Sequence, residues 1–229
     1  MMECAEMFTT VARCFSPTTE AEWAATTSKR TWGAFLTAIR FALQDISALA
    51  DPQPFAARIH ATCPLQDFLA APEINALFDP LSFEEKEAFA TEHFNSAMQD
   101  SRESALPIES LYLSWNNAVC SPLSRGSDQP GSPTVHVLMS PAYHGFVLPA
   151  HLQGVSEDHL AVELLLVAKL FEDGERNEAF VLIRDHFGWL SAYRRRLMTL
   201  RDTNVEFYVA LVDALMGIWV QIEPMEVAS

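Results

Sequence analysis

From Lys29 to Leu49, Trp32, Phe35, Leu36, Ile39, Leu43 and Ile46 recur at three- and four-residue steps. That spacing gathers apolar side chains on one face, so it predicts an amphipathic helix laid on a core. Asp51-Pro52-Gln53-Pro54 ends it, because a residue before proline is pushed out of the helical region. Residues 55–68 have room for one or two short helices, interrupted at Pro64. LSFEEKEAFATEHFNSAM opens on a capping box. Ser82 accepts from a backbone N–H three residues on, and Glu85 reaches back to Ser82. Glu84 and Glu85 also suit the positive end of the helix dipole, and a helix is expected over 83–98. The next stretch, SALPIESLYLSW at 104–115, alternates weakly and fits a strand or a helix.

CSPLSRGSDQPGSP, residues 120–133, has no hydrophobic period and reads as a linker. VHVLMSPAYHGFVLPAHLQG is broken by Pro141, Pro149 and glycine. Beyond it three helices fit. The first covers 157–171 and stops near Gly174. The second, ERNEAFVLIRDHFGWL, carries Phe180, Ile183, Phe187 and Leu190. The third, TNVEFYVALVDALMGIWVQI, carries Val205, Tyr208, Val212, Leu215 and Trp219. There is no internal repeat and no βαβ pattern. The expected fold is all-α: one helical-bundle domain over 1–229, with an N-terminal helical part at about 1–119, a long central loop and hinge at about 120–156, and a C-terminal helical part at about 157–229.

Composition sharpens this picture. The chain has 229 residues, 49% of them hydrophobic, with 15 Phe and 5 Trp, enough for a sizeable core. Thirty acidic residues face 15 basic ones, a formal net charge of −15. Such a surface repels nucleic acid and anionic membranes and draws cationic partners, or else serves solubility alone. Cys4, Cys14, Cys63 and Cys120 form no CxxC, which suits a reducing cytosol. MMECAEMFTTVARCF lacks the charged and apolar regions of a secretory leader. The most apolar stretch, VEFYVALVDALMGIWVQI, is interrupted by Glu206 and Asp213 and reads as a globular helix. No stable membrane insertion is expected, and the cytoplasm is the expected location.

The polar oddity is GVSEDHLAVELLLVAKLF, where Asp158 and His159 stand at the mouth of a very apolar helix. Four readings are open. Ser156 or Asp158 is the N-cap, with His159 an ordinary first-turn residue. A Ser-His-Asp device is a second reading, but no GxSxG elbow accompanies it. A metal site from His144, His151 and His159 is a third, yet its spacing matches neither HExxH nor a Cys/His finger. The fourth is a binding groove, because a helix apolar all round is central and its polar mouth lies where surface meets core.

IESLYLSW at 108–115 and EDHLAVELLLVAKL at 157–170 together resemble the cytosolic redox-enzyme maturation chaperones of the TorD/DmsD/NarJ type. The first matches a mid-chain segment of that family as Glu109-Ser110-Leu111-Tyr112. The second keeps Asp158, His159, Leu160, Glu163 and Leu164 of the family's Asp-His stretch and following helix. IRDHFGWLSAYRRRL at 183–197 is similar to the later helix and turn, where a His and a Trp precede a basic stretch. The likeness spans roughly 30–222. It departs where the family's Glu-Pro reads Val155-Ser156, and at Ile108.

The resemblance implies a TorD-like helical bundle without catalytic residues, cofactor or metal. It implies binding of the twin-arginine signal peptide, and of the apo form, of a molybdopterin redox subunit before export. Glu109, Ser110, Tyr112, Asp158 and His159 are the implied peptide contacts, with Asp158 the arginine acceptor and Trp115 either a groove wall or core packing. A helical adaptor for a mature redox subunit and a small His- or metal-dependent hydrolase stay open beside it. No P-loop is present, so no nucleotide is assigned. Either a monomer or a domain-swapped dimer fits the long central loop. Arg194-Arg195-Arg196 lacks the apolar run of a leader and reads as a solvated helix end.

Overall fold

The computed structural model describes residues 4–44, 72–95, 103–112 and 145–222. The linker at 120–133, the helices expected within 55–68, His144 and Trp115 lie outside those residues. Among the described residues the chain is all-helical: α1 (Cys4–Cys14), α2 (Glu20–Thr26), α3 (Lys29–Gln44), α4 (Phe83–His93), α5 (Leu160–Glu172), α6 (Arg176–His186), α7 (Leu190–Leu197) and α8 (Val205–Ile222). Short 3₁₀ turns lie at Pro72–Leu77, Glu109–Leu111 and Ala150–Leu152.

α5 is the central helix, as its all-round apolarity requires. Leu160 to Leu164, Leu166 to Ala168 and Leu170 are buried. Its largest partner is α1, an element the sequence reading did not anticipate. Ala5, Phe8 and Ala12, with Met7, Val11 and Cys14, recur at helical spacing and are all buried. Phe8 stacks on Phe171 at 5.6 Å, and Phe171 meets Phe180 edge-on at 6.0 Å, which joins α1, α5 and α6. α5 stops where expected: Gly174 takes φ +81, and Glu175 N–H donates to the Leu170 carbonyl at 2.8 Å. Such a left-handed residue closes a helix without strain only when it lacks a Cβ.

α8 packs against α3, α6, α7 and the turn at Pro72–Leu77. It has the length and composition of a membrane span, but half of it is buried inside this fold. The expected second C-terminal helix is two. α6 ends at His186 with Phe187 as its C-cap, and His186, Phe187, Trp189 and Leu190 are all buried. The basic run in α7 is more than a solvated end. Arg194 forks onto Asp213 of α8, and Arg196 Nε donates to the Ser104 carbonyl at 2.7 Å.

The Ser82 capping box is present: Ser82 Oγ accepts from Glu85 N–H at 3.2 Å, and Glu85 accepts from Ser82 N–H at 2.8 Å. α4 ends at His93 with Phe94 as its C-cap, short of the expected Met98. Ser82→Ala is expected to lower stability by about 1 kcal/mol. Thermal unfolding should show a drop of roughly 2–4 °C, which Ser82→Asp largely restores.

Candidate functional site

Residues 103–112 form a strap across the bundle. Ala105 N–H donates to the His93 carbonyl at 2.8 Å, and His93 Nδ1 meets the Glu103 carbonyl at 2.6 Å. Arg196 holds Ser104 from below. The strap then meets the entry to α5 as a short antiparallel bridge between Ile108 and His159. Leu160 N–H donates to the Pro107 carbonyl at 2.8 Å, and Glu109 N–H to the Asp158 carbonyl at 2.9 Å. The strand-or-helix ambiguity of 104–115 resolves, for 108–111, into one bridge residue followed by a 3₁₀ turn.

The N-cap of α5 is His159, not Ser156 or Asp158. Its Nδ1 accepts from Ala161 N–H at 3.1 Å. An accepting Nδ1 is an unprotonated one. Burial depresses the His159 pKa from 6.5 to about 4, against the pull of the Asp158 charge. Asp158 is not displayed at a groove mouth. It is fully buried, and its carboxylate accepts from the Ser156 hydroxyl and, at 3.1 Å, from Ser110 N–H. Burial pushes this carboxyl up, but the hydrogen bonds from Ser156 and Ser110 outweigh it and hold the pKa below the ordinary value.

Beneath the seam lies a cluster that the sequence reading did not assemble. Glu109, Glu163 and His186 are each 0% exposed. His186 Nδ1 lies 2.8 Å from Glu109 Oε2. Burial raises the Glu109 carboxyl, and the His186 contact pulls against it. Burial, then the charge of Glu109, raise Glu163 well above the usual carboxylate range. The indole N–H of Trp189 faces Glu163 and pulls the other way, without closing a hydrogen bond of good geometry. Tyr112 is half-buried and stacks on Trp189 at 5.6 Å, and burial lifts its hydroxyl to about 12. Ser110 is exposed.

The structure therefore joins Glu109, Ser110, Tyr112, Asp158 and His159 in one neighbourhood and adds Glu163, His186 and Trp189. One signal was legible: Glu163 is a lone carboxylate in the first turn of a helix otherwise apolar on every side. Among the described residues, two sets bring metal-type donors within 4.8 Å of one another, Glu109/Glu163/His186 and Glu92/His93/Asp202. In the second, Glu92 is exposed, and His93 already spends both ring nitrogens on Glu103 and Asp202. His144 lies outside the described residues, while His151 is exposed and His159 is buried as a cap.

No protein-family model, curated protein or solved structure matches this chain in the three searches made with it.

Proposed function

We propose that this chain is a cytoplasmic chaperone of the TorD/DmsD/NarJ type, which holds the twin-arginine signal peptide, and the apo form, of a redox subunit until its cofactor is in place. The observation that carries the reading is convergence. The three segments that resemble the family are far apart in sequence, yet their matching residues meet at one seam. Ser110 contacts Asp158 across 48 positions, and Glu109 contacts His186 across 77. Tyr112 stacks on Trp189. Chance likeness in three weak motifs gives no reason for their residues to pack together.

The physical chemistry of the partner agrees. A twin-arginine leader offers two guanidinium forks and an apolar stretch, and a net charge of −15 steers it inward. Asp158 and Glu109, both buried, shape the seam from beneath. The motif residues open to a peptide are the exposed Ser110 and the half-buried Tyr112, with the 41% exposed Leu111 between them. A groove that takes an apolar segment beside polar anchors is a common peptide-recognition mode.

Calorimetric titration with a twin-arginine leader peptide tests the proposal. Heat of binding is expected at low ionic strength, with affinity falling as salt screens the charges. Replacing both arginines by lysine should weaken binding roughly tenfold or more, since lysine cannot form the fork. No heat and no spectral change at low ionic strength would sink the reading. Capture of a leaderless mature subunit with equal affinity would favour the helical adaptor instead.

A further inference from the structure

We propose that Glu109, Glu163 and His186 hold a divalent first-row transition-metal ion in the core, as a structural site that pins the strap to α5 and α6. The three residues come from three separate elements: the 3₁₀ turn Glu109–Leu111, the first turn of α5, and the end of α6. Their donor atoms lie within 4.8 Å of one another, and none of the three residues is exposed. Donors about 2.0–2.2 Å from one ion stand at most about 4.4 Å apart, so small rotations of buried side chains close the site. The 2.8 Å between His186 Nδ1 and Glu109 Oε2 is near the spacing of about 3 Å between adjacent donors on one ion.

A second observation is independent of this spacing. Glu109 Oε1 and both oxygens of Glu163 are buried and accept no hydrogen bond of good geometry, although the two carboxyls and the Trp189 N–H face one another. Buried acceptors without donors are costly, and native cores rarely leave three together. One proton shared between the two carboxyls satisfies two of these oxygens and leaves the third only the misaligned Trp189 N–H. A divalent cation chelated by both Glu163 and Glu109 satisfies all three and balances both charges. The imidazole of His186 completes a borderline donor set of two carboxylates and one nitrogen. That set suits zinc, manganese or ferrous iron better than the all-oxygen ligation of calcium or magnesium. The Trp189 N–H beside Glu163 is placed to orient that ligand from outside the ion's own contacts. The site is sealed from solvent, so the metal is structural and offers no open position for a substrate.

This inference does not rest on the chaperone reading, which depends on leader binding alone. The test uses the full chain, purified without a chelator or a histidine tag. Elemental analysis should find stoichiometric zinc, manganese or iron. Stripping with a chelator should lower the melting temperature, and zinc or manganese should restore it. Cobalt added to the stripped protein should give visible absorption bands. Glu163→Gln keeps the side-chain volume but loses the charge. It should fold, carry no metal and melt at a temperature indifferent to added zinc. A metal-free wild-type protein, with neither melting shift nor cobalt bands on metal addition, would overturn the proposal and leave protons holding the cluster. So would Glu163→Gln binding metal as tightly as wild type. If that variant fails to fold, the wild-type metal content and cobalt spectrum decide alone.

Discussion

Asp158→Ala is expected to destabilise the chain by about 3 kcal/mol, because it strips two donors of a buried charged acceptor at once. The Ser110 N–H and the Ser156 hydroxyl both bond this carboxylate, which is itself 0% exposed. Hydrogen bonds to a charged group contribute about 1.5–3 kcal/mol each, and an amide left bare in the seam adds its own desolvation cost. For a chain of this length the loss corresponds to a melting temperature lower by roughly 6–12 °C. Asp158→Asn keeps one accepting oxygen and should recover part of the loss. Equilibrium urea unfolding checks the size. A change below about half a kilocalorie, the range of ordinary surface substitutions, would mean that the carboxylate does not tie the strap to α5. A solvent-facing arginine acceptor gives the opposite pattern, with affinity for a leader falling and stability untouched. The two roles therefore separate cleanly in paired melting and binding measurements on one variant.

Local rules carried the elements they govern. The Ser82-x-x-Glu85 box marks the start of α4, and the all-round apolarity of α5 announces a central helix. Both are decided by residues within a turn or two of each other. What escaped the sequence depends on tertiary packing. The N-terminal stretch belongs to an expected helical part without a helix of its own being assigned, yet Phe8 and its neighbours bury a full face against α5. The split between α6 and α7 falls at the Phe187 C-cap, inside a stretch whose apolar spacing continues across it, so no periodicity records it. The expectation that Ser156 or Asp158 caps α5 followed cap preference. The structure instead caps with His159, because Asp158 is drawn to the strap by Ser110. The Glu109–Glu163–His186 cluster needs three chain segments at once, and spacing along the sequence says nothing about their meeting. Family resemblance had marked Glu109, Glu163 and the His-Trp pair separately, without a physical reason for any of them.

His159 gives the second large effect, and its sign follows from the cap. The folded protein holds the imidazole neutral, since Nδ1 accepts from Ala161 N–H. Its pKa falls from 6.5 to about 4 on folding, chiefly through burial. A depressed histidine contributes its full stability above pH 6.5, and that stability is lost as pH falls through 6.5 toward 4. The unfolded chain takes up a proton that the folded chain refuses, at about 1.4 kcal/mol per pH unit and about 3 kcal/mol in all. Glu163 and Glu109 move the other way. With no ion bound, burial raises both, so each favours the folded state at acid pH and opposes it as pH rises. The wild-type curve therefore mixes opposing slopes, and a difference measurement isolates the histidine. His159→Asn keeps a good cap acceptor and does not titrate. Its stability relative to wild type should improve by about 3 kcal/mol between neutral pH and pH ~4, read from urea unfolding at each pH. Parallel curves for the two proteins would show that His159 can take a proton without leaving its cap, and the neutral-histidine account of the α5 entry would fail.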